Sequence, residues 1–327
     1  LKRGMFSSIS DNEAYLEADK KWTVELQRFH QYWYDLVVNP NEVAEYFDTR
    51  KLIVDYLKGV KEAVEKSLEK RFVYFICSRT KVRFNTKKKP FFNPFTKEIK
   101  IHILVGKKEK KRSIWCKFFD RGLDKFYNPK IDLTDKYITI TDSKGDLTTA
   151  SIHDFLDGSN INLGISSNVE YVGYTENPHT RPTNGSHTGL SDTLYKVSNE
   201  DCDTLIYFNV FNVVTEANSK NSMFNFIIPN SMTDEIESEL EGKIIEKCFI
   251  FYFDAINQSR NKKKELSELK NSLIKMAKKN KIGSITFYYE FEYVNDYAIF
   301  SSSLVKPSYC HRFSVCLEND NVAVKRY

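Results

Sequence analysis

The chain has no Cys-x-x-Cys pair among its six cysteines, no uninterrupted apolar run near the roughly 18 residues that cross a membrane, and no internal repeat. The first absence removes zinc-ribbon and small disulfide scaffolds. Cys77 in FVYFICS and Cys248 in EKCFIFYF sit inside apolar runs and read as reduced core residues. Cys310, His311 and Cys316 lack a fourth ligand at useful spacing for zinc. The second absence argues against a spanning helix, and with no signal peptide evident the expected location is cytoplasmic. Low complexity is confined to short lysine runs, which argues against a disordered chain.

At 327 residues, with 41% apolar and 28% charged side chains, there is material for one large domain or two ordinary ones. Aromatics reach 14%, mostly Phe and Tyr, a bias toward β structure. The net charge of +5 is unevenly spread. Lys87, Lys88 and Lys89 form one basic run. Lys107, Lys108, Lys110, Lys111 and Arg112 form a second, and RNKKK at 260–264 a third. These runs suit a polyanion such as DNA, or else they are solvated loops.

Periodicity predicts an α+β fold. Ser10 or Asp11 can cap a helix running to about Leu36, with Leu16, Trp22, Leu26, Phe29, Tyr32 and Trp33 on its apolar side. A second helix is expected over 42–70. From residue 72 the pattern changes to short strands, including FVYFIC, KVRFN, IKIHILV, SIWCKFF and YITIT, and His102 on one of them reads as core. DGSN at 157–160 is the candidate boundary between domains 1–156 and 157–327. Beyond it come a short hairpin, LGISSNVEYVGYT, then a turn-rich loop, a long strand at 204–215, two helices between about 233 and 279, and three final strands.

One stretch carries the chemistry. In "EYVGYTENPHTRPTNGSH" a strand ends in Tyr171-Val172-Gly173, Thr175 follows, and Arg181 stands eight residues after the glycine, with His187 beyond. Glycine permits close backbone approach at a strand end, and arginine is a permanently charged fork suited to phosphate. Alone, Tyr171 suits a half-buried strand position, and Arg181 and His187 suit a surface turn. Downstream, Glu246 is followed by Phe249 and Ile250 at plus three and plus four, and by Asn257. Glu241, with Ile244 and Ile245, fits the local pattern too. Five residues is about 140° around a helix, so the two glutamates cannot face one site together.

This arrangement resembles the GIY-YIG nuclease family over residues 164–257. The resemblance implies a small antiparallel sheet with flanking helices, with the first tyrosine motif on a strand paired to Tyr171-Val172-Gly173. The nearest such motif is Gly164-Ile165-Ser166, where serine stands in place of tyrosine. It further implies that Glu246, ahead of Glu241, holds one Mg²⁺ or Mn²⁺, that Arg181 binds the phosphate, and that Tyr171 or His187 handles the attacking water. The expected function is therefore a DNA endonuclease of restriction or anti-phage type. On this reading 1–156 contacts DNA through the two lysine-rich runs, or docks a homodimer mate or protein partner through N-terminal helices. The alternative is a catalytically silent nucleic-acid-binding or regulatory protein on the same scaffold.

Overall fold

The computed structural model describes residues 2–43, 48–66, 72–120, 124–180, 194, 201–219, 225–255, 262–292 and 294–327. In chain order the first elements are α1 (Glu13–Glu17), β1 (Asp19–Trp33), α2 (Asp35–Val38), α3 (Thr49–Lys66) and β2 (Phe72–Thr80). Nine short strands follow: β3 (Val82–Phe84), β4 (Phe91–Asn93), β5 (Glu98–Val105), β6 (Lys110–Cys116), β7 (Phe118–Asp120), β8 (Lys125–Tyr127), β9 (Lys130–Leu133), β10 (Tyr137–Thr141) and β11 (Leu147–Ser151). Then come α4 (Ile152–Gly158), β12 (Ser167–Thr175), β13 (Cys202–Asn218), β14 (Asn225–Pro229), α5 (Asn230–Thr233), α6 (Ser238–Phe253) and α7 (Lys262–Lys275). The chain closes with β15 (Ile282–Glu290), β16 (Phe300–Ser301), β17 (Cys310–Glu318) and β18 (Asn321–Arg326). Helix accounts for 29% and strand for 43%, a mixed α+β class. No described helix is long and apolar enough to cross a membrane.

A nine-stranded sheet organises the molecule, in the order β16-β12-β2-β13-β1-β15-β17-β18, with β14 also paired to β13. β2 runs antiparallel to both β12 and β13, and β1 lies antiparallel to β13 and parallel to β15. The two expected domains therefore share one sheet. β1 and β2, from before the boundary expected at 157–160, interleave with β12, β13 and β15 from after it.

The expected helix over residues 12–36 is corrected by β1. Lys20, Trp22 and Val24 are buried on alternate positions, a strand period, and β-branched and aromatic residues fill the segment. A bulge between Leu26 and Arg28 then shifts the phase by one residue. Two strand halves out of phase leave apolar residues at 22, 26, 29 and 33, which imitates a helical spacing. Ahead of β1 only α1 is α-helical, capped by Asn12 accepting from the Ala14 N–H, and α2 begins at Asp35. Residues 19–33 therefore form a strand near the middle of the sheet, and the described α-helices of the N-terminal part are α1, α2 and α3.

The sheet is covered on both faces. Val73, Phe75 and Cys77 of β2 point toward α6 and join Ile245, Cys248 and Phe249 in the larger core. Phe72, Tyr74 and Ile76 point the other way and pack with Leu57, Val60 and Val64 of α3. β13 lies between β2 and β1, and its residues 203–211 are buried without a break, as a strand covered on both faces must be.

Residues 81–151 form a module of short sheets, β3-β5-β4 with β6 on β5, and β9-β10-β11. A buried polar network ties it to the main sheet. Asp203 of β13 accepts from the Val82 N–H at 3.0 Å, pairs with Arg83 at 2.8 Å, and meets His153 Nε2 at 3.0 Å. The other ring nitrogen of His153 lies 2.9 Å from the Tyr297 hydroxyl. Burial pushes the Asp203 carboxyl pKa up, but the hydrogen bond and charge of His153, with Arg83, outweigh it and hold the value below the ordinary one.

Candidate active site

β12 is where the sequence places the site, and its neighbours are set by register. The expected hairpin at 163–175 is not formed: the strand starts at Ser167, and Gly164, Ile165 and Ser166 lie outside any strand. The strand paired with Tyr171-Val172-Gly173 is β2, more than ninety residues earlier. A bulge at Glu170 sets Tyr171 opposite Ile76 and Gly173 opposite Tyr74.

Gly173 answers to sterics. A Cβ there would lie 2.4 Å from Tyr74 Cζ and 2.5 Å from its hydroxyl, so only glycine lets the Tyr74 ring lie across the strand. The ring of Tyr171 stacks near it, with centroids 6.0 Å apart and planes 29° from parallel, and Phe208 of β13 backs Tyr74 at 5.9 Å. Tyr74 is 2% exposed and Tyr171 is half-buried. A tyrosine, Tyr74, thus stands on the strand paired with Tyr171-Val172-Gly173. Sequence reasoning missed it because the two strands are separated by a whole module; its one local signal is the tyrosine inside FVYFIC.

The chain beyond Gly173 stays on the α3 side. Thr175 Oγ1 accepts from the Asn177 N–H at 3.1 Å, and Asn177 Oδ1 accepts from Lys61 Nζ of α3 at 2.8 Å. His179, half-buried, has its pKa lowered by burial and by Lys61 and Lys58 beside it, which favours a neutral imidazole. At the bulge, Glu170 Oε1 accepts from Ser78 Oγ and from Asn168 Nδ2, each at 2.7 Å. Arg181, His187 and Asn257 lie outside the described residues.

The two glutamates of α6 separate cleanly. Glu241 is 1% exposed, pairs with Arg3 Nη2 at 3.1 Å and accepts from Asn230 Nδ2, so its carboxylate is held in a buried structural network. Glu246 is half-buried. It stands one turn beyond Gly242, where a Cβ would meet the Tyr174 ring at 2.2 Å; that side of α6 therefore faces β12. Burial works against the charge of neighbouring Lys247, but Glu246, Glu265 and Glu268 outweigh it and raise its pKa. Among the described residues no three of His, Cys, Asp and Glu gather as a metal cage. Mg²⁺ is compatible with Glu246 all the same, because it binds through one or two carboxylates and keeps most of its waters. His311 is buried, with Nδ1 3.0 Å from the Tyr252 hydroxyl.

The faces do not coincide. Tyr74 and Tyr171 belong to the α3 side of the sheet and α6 to the other. β16 pairs with β12 at Ser167 and Asn168, and among the described residues no strand pairs with that side of β12 from Glu170 to Thr175. Comparison of the chain with protein-family models, curated proteins and solved structures returns no match.

The basic runs fall on the module. Lys87, Lys88 and Lys89 are exposed in the turn between β3 and β4. Lys107 and Lys108 occupy the β5–β6 turn, and Lys110, Lys111 and Arg112 lie on β6. Two of these cations are engaged: Lys107 pairs with Asp201 at 2.8 Å, and Arg112 donates to the Leu163 carbonyl at 2.6 Å.

Proposed function

We propose that the chain is a metal-dependent DNA endonuclease with a GIY-YIG-like core whose first strand is β2 and whose residues 81–166 are an insertion between the first two strands. The observation that carries this reading is the Tyr74 ring lying over Gly173. It puts a tyrosine on the strand paired with Tyr171-Val172-Gly173, where the family resemblance requires one. Tyr171 and Tyr74 would orient the attacking water and accept its proton. Arg181 would bind a non-bridging phosphate oxygen and offset the charge that grows there. Glu246 would hold Mg²⁺ or Mn²⁺, which supplies Lewis acidity at the leaving oxygen. For these groups to serve one phosphate, the phosphate must lie across the edge of β12.

A second reading has one observation in its favour. Tyr74 is only 2% exposed, which suits a silent scaffold that binds nucleic acid without cutting it. Plasmid nicking with Mg²⁺ or Mn²⁺, with and without chelator, separates the two. Nicking is expected to need the metal, to vanish in Glu246→Gln, and to fall at least about tenfold in Tyr74→Phe and Tyr171→Phe, at the low end of what a positioned proton acceptor contributes. A wild-type chain that binds DNA but never nicks it would refute the nuclease and leave the scaffold.

A further inference from the structure

On the module, β4, β5 and β6 turn their apolar side inward, with Ile99, Ile101 and Ile103 buried. The opposite side is open. Register puts Phe91, Lys100 and Trp115 in one cross-strand row on it, since Phe91 pairs with Lys100 and Lys100 with Trp115. Phe91 is 58% exposed and Trp115 47%, large apolar rings with no described packing partner that covers them. The Lys100 ammonium stands 5.4 Å from the Trp115 ring centroid, a cation–π placement. His102, the next outward residue of β5, bonds to Ser113, so it belongs to this outer face rather than the core. The Asn85 N–H donates to the His102 carbonyl at 2.8 Å and the Lys88 N–H to the Asn85 carbonyl at 3.1 Å, which anchors the β3–β4 turn carrying Lys88 beside His102.

We infer that this outer face binds single-stranded DNA, with bases stacked on Phe91 and Trp115 and phosphates held by Lys88 and Lys100. Two rings on strands two apart stand about 10 Å from each other, across a lysine. Alternating π-faces and ammonium groups match a strand whose bases are unstacked and whose backbone is charged. A duplex hides its base faces, and an acidic peptide has none, so neither uses the rings. The site does not depend on the nuclease reading.

The test uses tryptophan fluorescence of the full chain in chelator. Trp22 and Trp33 are 0% and 2% exposed, so quenching on addition of oligo(dT) reports Trp115. Saturable quenching is expected at low salt. Labelled-oligonucleotide anisotropy should show affinity falling about tenfold in Phe91→Ala, Phe91→Leu and Trp115→Ala, the size of one lost base stack. Lys100→Gln should flatten the dependence of log affinity on log salt by about 0.7. Circular dichroism checks that each variant is folded, and because binding is read in chelator, where metal-dependent nicking cannot occur, a failed nuclease and a failed stacking face are told apart. Absence of quenching, equal affinity of the ring variants and wild type, or binding of duplex or polyglutamate as tight as oligo(dT) would each overturn the inference.

Discussion

Replacing Gly173 with alanine tests the central contact of the candidate site. The added methyl would sit 2.4 Å from Tyr74 Cζ and 2.7 Å from Cε1, so one of them must retreat by about 1 Å to reach ordinary carbon contact. The ring has nowhere to go: it is 2% exposed, with Phe208 behind it and Tyr171 beside it. Overpacking of this kind costs about 3 kcal/mol at the upper end, and alanine's smaller loss of chain entropy returns about 0.4–1 kcal/mol. A net loss of about 2 kcal/mol should appear as a lower urea midpoint with unchanged slope. Tyr74→Phe in the same background should not rescue, because Cζ and Cε1 stay in place, whereas Tyr74→Leu should recover part of the loss and give a coupling energy of about 1 kcal/mol or more. Wild-type stability of Gly173→Ala, or full rescue by phenylalanine, would refute the close approach and with it the assignment of β2 as the partner strand.

Gly242→Ala should cost less, although its methyl would lie 2.2 Å from Tyr174, because that ring is only half-buried and alanine improves helix propensity by about 1 kcal/mol. Thermal melts should rank it above Gly173→Ala. Glu246→Gln should change stability by no more than about 0.5 kcal/mol, whereas Glu241→Gln should lose about 2 kcal/mol by stripping charge from the buried Arg3 and Asn230 contacts; equal effects would undo the distinction between them. His311 is pushed down to about 4 by burial, so the unfolded chain takes up a proton below about 6.5 that the folded chain refuses. Stability should therefore fall by about 3 kcal/mol between pH 6.5 and 4 from this group and level off below, and His311→Phe should remove that slope. Asp203 acts at lower pH: its depressed pKa gives stability that is full above the unfolded value and lost as pH falls through the folded one. Asp203→Asn should flatten that acid limb and weaken the protein at neutral pH, and an unchanged limb would show the network is not ionised as drawn.

How much of this was legible in the sequence depends on how local each signal is. β2, β5, β10 and α4 carry their patterns within their own residues, and Ser151 accepting from the Asp154 N–H is a local helix start. β1 failed because a bulge changed the phase in mid-strand, and a periodicity window has no term for a bulge. The middle one of the three expected final strands shrinks to β16, two residues paired to β12. On α6, helical geometry alone showed that Glu241 and Glu246 face different ways. It could not say which was buried, because that was decided by Arg3, at the far end of the chain.

The tyrosine partner of Gly173 shows the same limit in its most consequential form. A motif is recognised by spacing when its parts are connected by a tight turn, since the turn fixes the register. With residues 81–166 between β2 and β12, register is set instead by burial on both faces. Phe72, Tyr74 and Ile76 must face α3, Val73, Phe75 and Cys77 must face α6, and a one-residue slip would exchange the two sets. The bulge at Glu170 is the adjustment that lets β12 meet this constraint. It brings Gly173, with no side chain to clash, onto the tyrosine rather than onto a neighbour. The glycine is thus visible as a motif residue from one strand alone, and the reason for it is visible only once the distant strand is in place.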